Sequence, residues 1–147
     1  MPLGDWAAPT ASGPVDADIL LPGSKSLTNR YLVLGALACD TSRLRAPLRS
    51  RDTLLMAAAL RTLGALVEDV EEGDWLVTPA DLAHGGDIDC GLAGNVMRFV
   101  PPIAALSSSP VHFDGDAPAR RRPMAPVLEA LRQLGVAVED EGRGTLP

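Results

Sequence analysis

The run Pro22-Gly23-Ser24-Lys25-Ser26-Leu27-Thr28-Asn29-Arg30 places an ammonium, a guanidinium and small hydroxyls at the mouth of an apolar helix pattern. These groups suit a negatively charged ligand. Lys25 is a mobile point charge fitted to a phosphate, and Arg30 a planar fork fitted to a carboxylate. Leu27, Tyr31, Leu34 and Ala38 recur with helical spacing and predict a helix over 26–39. Pro22-Gly23 then forms the turn before it, and Ser24 or Ser26 the cap. Free N–H groups and the positive end of the helix dipole would face that turn. Ser26 and Arg30 stand four apart, as do Lys25 and Asn29, so each pair shares a side of the helix. An ordinary capped helix with solvated Lys and Arg has the same composition, and the segment alone leaves both readings open. It is not a P-loop, which needs an earlier glycine that 19–21 do not supply.

Two other segments carry potential chemistry. Cys90-Gly91-Leu92-Ala93-Gly94-Asn95-Val96-Met97-Arg98 is a glycine-rich turn leading into a helix pattern. Gly91 and Gly94 permit a close backbone approach and Asn95 can donate to an anion, although a tight connection needs the same glycines. Arg120-Arg121-Arg122-Pro123 reads as a solvated loop, or as a clamp in which an arginine next to a rigid proline holds a small carboxylate or phosphate.

Composition limits the partners. The 147 residues are 46% hydrophobic, enough for a core, and carry a net charge of −6. An acidic chain argues against nucleic acid or an anionic membrane as partner, and the triple arginine lacks the interleaved aromatics of a nucleic-acid patch. The longest apolar stretch, 31–39, is far short of the roughly 20 residues of a membrane span. Residues 1–8 include Asp5 and no basic region, so no secretory signal is expected and the reading is cytoplasmic. Cys39 and Cys90 are read as reduced thiols, and His84 and His112 have no companions at metal-ligand spacing.

The chain repeats itself. Leu60-Arg61-Thr62-Leu63-Gly64-Ala65-Leu66-Val67-Glu68-Asp69 returns 71 positions later as Leu131-Arg132-Gln133-Leu134-Gly135-Val136-Ala137-Val138-Glu139-Asp140. Each copy reads as a helix end stopped by glycine and followed by a strand ending in acids. Upstream, an arginine-bearing loop precedes the helix in both copies, Arg49-Ser50-Arg51-Asp52 and then Arg120-Arg121-Arg122-Pro123. The period is too long for a solenoid and indicates duplicated αβ units. Helices are predicted near 26–39, 51–63, 93–106 and 125–134. Strands are predicted near 16–21, 43–48, 65–70, 75–78, 87–89, 111–114 and 136–140, an α/β alternation.

Taken in order, Leu21-Pro22-Gly23-Ser24-Lys25-Ser26 with Asn29-Arg30, Gly91-Leu92-Ala93-Gly94-Asn95 with Met97-Arg98, and Gly115-Asp116 with Arg122-Pro123-Met124 resemble the 5-enolpyruvylshikimate-3-phosphate synthases, or 3-phosphoshikimate 1-carboxyvinyltransferases. The resemblance implies an inside-out α/β barrel of repeated βαβαββ-like subdomains, here the first domain only and incomplete. It divides the chain into a flexible tail over 1–14 and a partial N-terminal domain over 15–147, with related units at about 15–80 and 87–147. The implied reaction moves the enolpyruvyl group of phosphoenolpyruvate to the 5-hydroxyl of shikimate 3-phosphate and releases phosphate, in chorismate and aromatic amino acid synthesis. By position, Lys25 would be catalytic and contact both substrates, Ser26 and Arg30 would hold shikimate 3-phosphate, and Gly94 and Arg122 would hold phosphoenolpyruvate, with Asn95 a further candidate. The family implies no metal or organic cofactor.

The chain departs from the family pattern where Leu92 and Asn95 replace an Asn and a Thr, and where Phe99 replaces a proline. A bulkier Asn95–Phe99 segment is expected to tighten the phosphoenolpyruvate end. The family's second domain is not represented, so the 147-residue chain is expected to be an N-terminal fragment without turnover of its own, perfected only by a complementary C-terminal half. Rival readings are a non-catalytic anion-binding or interaction module and the sister UDP-N-acetylglucosamine enolpyruvyl transferases. The latter characteristically have Asn after the lysine and a Cys in the arginine loop; here Ser26 follows Lys25 and no Cys lies between Val111 and Pro126.

Overall fold

A computed structural model of the chain describes residues 6–147. Within them, helices α1 (Lys25–Ala36), α2 (Arg51–Thr62), α3 (Gly94–Ala104) and α4 (Ala125–Gln133) alternate with strands β1 (Ser42–Leu44), β2 (Leu66–Asp69), β3 (Trp75–Thr78), β4 (Gly86–Asp89) and β5 (Val111–Asp114). The fold is α/β. β3 is the middle strand of an antiparallel sheet ordered β1-β3-β2, with Val77 facing Ser42 on one side and Val67 on the other. β4 and β5 form a separate parallel pair in register from Gly86 opposite Val111 to Asp89 opposite Asp114. Helix α3 makes the crossover between them, as parallel pairing requires.

α2 is the central helix, packed against α1 on one side and α3 and β4 on the other. Its start is fixed by a capping box in which the Ser50 hydroxyl accepts from the Thr53 N–H and the Thr53 hydroxyl accepts from the Ser50 N–H. Its apolar stripe, Met56, Leu60 and Leu63, is fully buried with Leu32 of α1, Trp75 and Val77 of β3 and Met97 of α3. Each such side chain contributes about 1.5–3 kcal/mol by leaving water. Gly35 lets α1 lie close on the sheet: a Cβ there would stand 3.1 Å from that of Val77.

The duplicated segments share their turn chemistry. Gly64 (φ +114) and Gly135 (φ +86) end α2 and α4 in conformations that favour glycine. Beyond them the Ala65 N–H returns to the Leu60 carbonyl at 3.0 Å, and the Val136 N–H to the Leu131 carbonyl at 3.1 Å. Arg61 then donates to the Val67 carbonyl, and its counterpart Arg132 to the Val138 carbonyl.

Several expectations need correction. The segment 16–21 is not a strand: it has no strand partner among the described residues, and Ile19, Leu20 and Leu21 are exposed. Residues 136–140 are not a strand either, because the position equivalent to Trp75 of β3 is Leu146, and no strand lies there to pair with. The strand expected over 43–48 stops at Leu44, since Ala46 turns with φ +44 ahead of Pro47. α1 ends at Ala36, short of 39, and α3 spans 94–104 where 93–106 was expected. Of the tail expected over 1–14, residues 1–5 lie outside the described residues, and 6–14 are exposed without helix or strand.

Asp74 ties β3 to the loop after β1. Its carboxylate, almost fully buried, accepts from the Ala46 N–H and from Arg43 Nε, both at 2.8 Å. The Ala46 N–H first, and then Arg43, hold its carboxyl below the ordinary carboxylate value of 3.8. A carboxyl depressed in the folded state stabilises above its unfolded pKa, and that contribution disappears as pH falls through the lower folded value. The melting temperature of the chain should therefore hold from neutral pH down to the usual carboxylate range and drop below it. Asp74→Asn should lower the neutral-pH value and make the acid-side drop shallower, as read by thermal melts across that range.

Candidate anion site

Lys25 is the first residue of α1, after Ser24, whose hydroxyl caps the helix by accepting from the Leu27 N–H. Its half-exposed ammonium lies 2.9 Å from Asp52 in the first turn of α2. Ser26 is exposed, and its carbonyl accepts from Arg30 Nη1 at 3.1 Å. The Arg30 guanidinium sits over the Phe99 ring of α3, 5.4 Å from its centroid, which brings it to the facing helix. Phe99 therefore bears on Arg30; the expected tightening of the phosphoenolpyruvate end does not account for that contact.

Gly94 begins α3, where no side chain caps the free N–H groups. Arg122 Nη1 donates to the Leu92 carbonyl at 3.0 Å, and Arg98 Nη1 to the Gly94 carbonyl at 3.2 Å. Both guanidinium tips border the start of the helix, since a Cβ on Gly94 would lie 3.0 Å from Arg98 Nη1 and 3.4 Å from Arg122 Nη1. Asn95 is half-buried in the same turn. Of the triple arginine, Arg122 alone touches this turn among the described contacts. Arg120 turns away to pair with Asp114 at 2.5 and 2.8 Å, and Arg121 is exposed.

The start of α2 joins the two groups. Asp52 holds Lys25, while the neighbouring Arg51 makes a paired contact with Asp116 at 2.6 and 2.7 Å and lies against Gly91. The starts of α1, α2 and α3 thus meet at one end of the molecule, with Lys25 and Arg122 linked through it by a short chain of contacts. Arg30, Arg98 and Arg122 share a further property. Among the described residues, they bond to carbonyls or an aromatic face and none pairs with a carboxylate, so their charge stays available to an anion.

Other groups are excluded or displaced. Burial, followed by the charges of Asp89 and Asp114, pushes the Cys90 thiol up to about 12, which keeps it from acting as a nucleophile. Arg51 holds the Asp116 carboxyl below its ordinary value, and Arg120 does the same to Asp114. Asn29, expected to share a side of the helix with Lys25, is fully buried, and its carboxamide has no hydrogen-bond partner among the described residues. A groove of about 560 Å³ lies between α1 and β1, running from Gly23 and Ser24 at the start of α1 past Leu27, Tyr31 and Leu34 to Arg45. Sequence reasoning gave Arg51 and Asp52 a place in the arginine-bearing loop and Asp116 a place in a motif, but none of them a role at the site. The repeat held a signal for the first, because Arg51 and Arg122 occupy equivalent positions 71 apart.

The arrangement defines an α/β protein that gathers cations at the starts of neighbouring helices. The family model of EPSP synthase (3-phosphoshikimate 1-carboxyvinyltransferase) matches residues 9–147, and the chain belongs to that family. It is 56% identical over 152 aligned positions to the 3-phosphoshikimate 1-carboxyvinyltransferase of Kocuria rhizophila, an alignment covering 97% of this chain and 34% of the relative. An EPSP synthase structure from Acinetobacter baumannii superposes with a TM-score of 0.78 at 25% identity, covering 88% of this chain and 30% of that one. A second structure of EPSP synthase from the same organism gives 0.73 at 24% identity. The chain spans about a third of the length of these relatives.

Two measurements test this geometry. An aromatic disulfide reagent should label the exposed Cys39 in the native chain and reach the buried Cys90 only on unfolding. Asn29→Leu, which removes a buried carboxamide without a partner, should raise the unfolding free energy by about 1–3 kcal/mol in denaturant titrations.

Proposed function

We propose that this chain contributes the Lys25, Ser26, Arg30, Gly94 and Arg122 side of a site that transfers the enolpyruvyl group of phosphoenolpyruvate to the 5-hydroxyl of shikimate 3-phosphate, releasing phosphate. One observation carries the reading: the guanidiniums of Arg98 and Arg122, neither paired with a carboxylate among the described residues, border the uncapped start of α3, and Arg30 of α1, likewise without a carboxylate partner, lies over Phe99 further along that helix. Both substrates are polyanions. Phosphoenolpyruvate binds against the Gly94 N–H and the Arg122 fork, with Asn95 beside it. The carboxylate of shikimate 3-phosphate is held by Ser26 and Arg30, whose position Phe99 supports. Lys25 exchanges Asp52 for the substrates and stabilises the charge that gathers on phosphate during addition and elimination.

In this reading the chain comprises two related units, about 15–80 and 87–147, and acts in the cytoplasm. A complementary C-terminal half supplies the sugar-phosphate contacts and the acid/base groups. Among the described residues no helix is long and apolar enough to cross a membrane.

Calorimetric titration tests the assignment. Arg122→Ala should weaken phosphoenolpyruvate binding by at least about tenfold, and Arg30→Ala should weaken shikimate 3-phosphate binding to a similar degree, in line with lost charge-assisted hydrogen bonds. Unchanged affinities in both variants would sink the assignment.

A further inference from the structure

We infer that Arg51, through its paired contact with Asp116, is a positioning residue for the phosphoenolpyruvate end of the site. It sets the turn from Gly91 to Gly94 and, with it, the Arg122 guanidinium. The inference rests on the proposed function above and extends it to a residue that touches no ligand.

Three observations support it. The first is occupancy: Arg51 Nη1 and Nη2 each donate to one oxygen of Asp116, at 2.6 and 2.7 Å, so the fork is already filled. Its repeat counterpart Arg122 gives one N–H to the Leu92 carbonyl and keeps donors for an anion. Equivalent arginines therefore approach the same turn with different tasks.

The second is contact with the turn itself. Gly91 has φ +49, and a Cβ there would stand 3.0 Å from Arg51 Nη2, 3.2 Å from its Cζ and 2.6 Å from Leu55 Cδ1. The guanidinium is a wall against which the glycine turn is pressed.

The third is the path onward from Asp116. Its N–H donates to the Gly91 carbonyl at 2.9 Å, and its own carbonyl accepts from the Ala119 and Arg120 N–H groups at 2.7 and 3.2 Å. These bonds begin the tight turn that closes with the Arg122 N–H on the Ala119 carbonyl at 2.9 Å. The contacts form a ring: Arg51 to Asp116, along the turn to Arg122, back through Leu92 to Gly91, and to Arg51 again. An ion pair of merely structural effect would contribute little at this exposed position. One closing such a ring governs where Arg122 points.

The test measures two affinities on the chain by calorimetry, for phosphoenolpyruvate and for shikimate 3-phosphate. Arg51→Ala should weaken phosphoenolpyruvate binding by about tenfold, the scale expected when a binding group is misplaced. It should leave shikimate 3-phosphate affinity within about twofold and shift the melting temperature by no more than about 2 °C, as loss of an exposed pair does. The charge-reversed double variant Arg51→Asp with Asp116→Arg should recover part of the lost affinity. Should Arg51→Ala fail to fold, Arg51→Lys keeps the charge without the fork and should show the same split. Unchanged phosphoenolpyruvate affinity, or equal loss for both ligands, would overturn the inference while leaving the proposed function standing. Failure of the unsubstituted chain to bind either ligand would sink both.

Discussion

Two neighbouring side chains of opposite charge at the start of α2 hold the site together. Successive residues on a helix point about 100° apart. Arg51 can therefore reach Asp116 and the Gly91 turn while Asp52 reaches Lys25 of α1. The arrangement depends on α2 starting where it does, which Ser50 and Thr53 fix by capping each other. The Thr53 hydroxyl also donates to the Leu48 carbonyl at 2.7 Å, and the Leu48 N–H donates to the Thr28 hydroxyl of α1 at 3.0 Å. The relative placement of α1 and α2 is thus set by neutral hydrogen bonds, with the charged contacts built on top.

Charge is distributed in a way the net value conceals. The chain has 19 acidic and 13 basic residues counting Lys and Arg, yet eight of the acids are held in the described ion pairs. Asp52, Asp69, Asp74, Asp114, Asp116 and Asp140 each face a cation, and none approaches Arg30, Arg98 or Arg122 among the described ion pairs. A small region of positive potential can therefore persist on an acidic protein, because a field at this range is set by neighbours and screened beyond roughly 8–10 Å.

Helices were the most legible elements because their apolar spacing and caps lie within a few residues of one another. Ser24 and Ser50, and the glycines at 64 and 135, stand where the pattern puts the ends of α1, α2 and α4. Strands fared less well. Residues 16–21 and 136–140 alternate as strands do, but pairing depends on a neighbour that alternation does not encode, and β1 is cut short by a turn at Ala46 that its composition does not announce. At the site, the residue types that attract anions were visible, since Lys25, Arg30 and Arg122 stand beside turn-forming residues. What escaped was the supporting layer. Arg51, Asp52 and Asp116 become neighbours through folding across as many as 65 positions, and Asn29 turns inward although four residues from Lys25.

The arginine ties that follow the two glycine stops bear on how the copies could diverge. Arg61 and Arg132 grasp a main-chain oxygen, at Val67 and Val138, and every amino acid carries that atom. A substitution at Val67 or Val138 leaves that bond intact, so drift can accumulate at those two positions while the angle between helix and following chain is inherited unchanged. Arg132 adds a carboxylate partner, Asp140 at 2.7 Å, which ties the second copy to one residue type as well, whereas the Asp69 carboxylate at the equivalent position of the first copy is taken by Arg49.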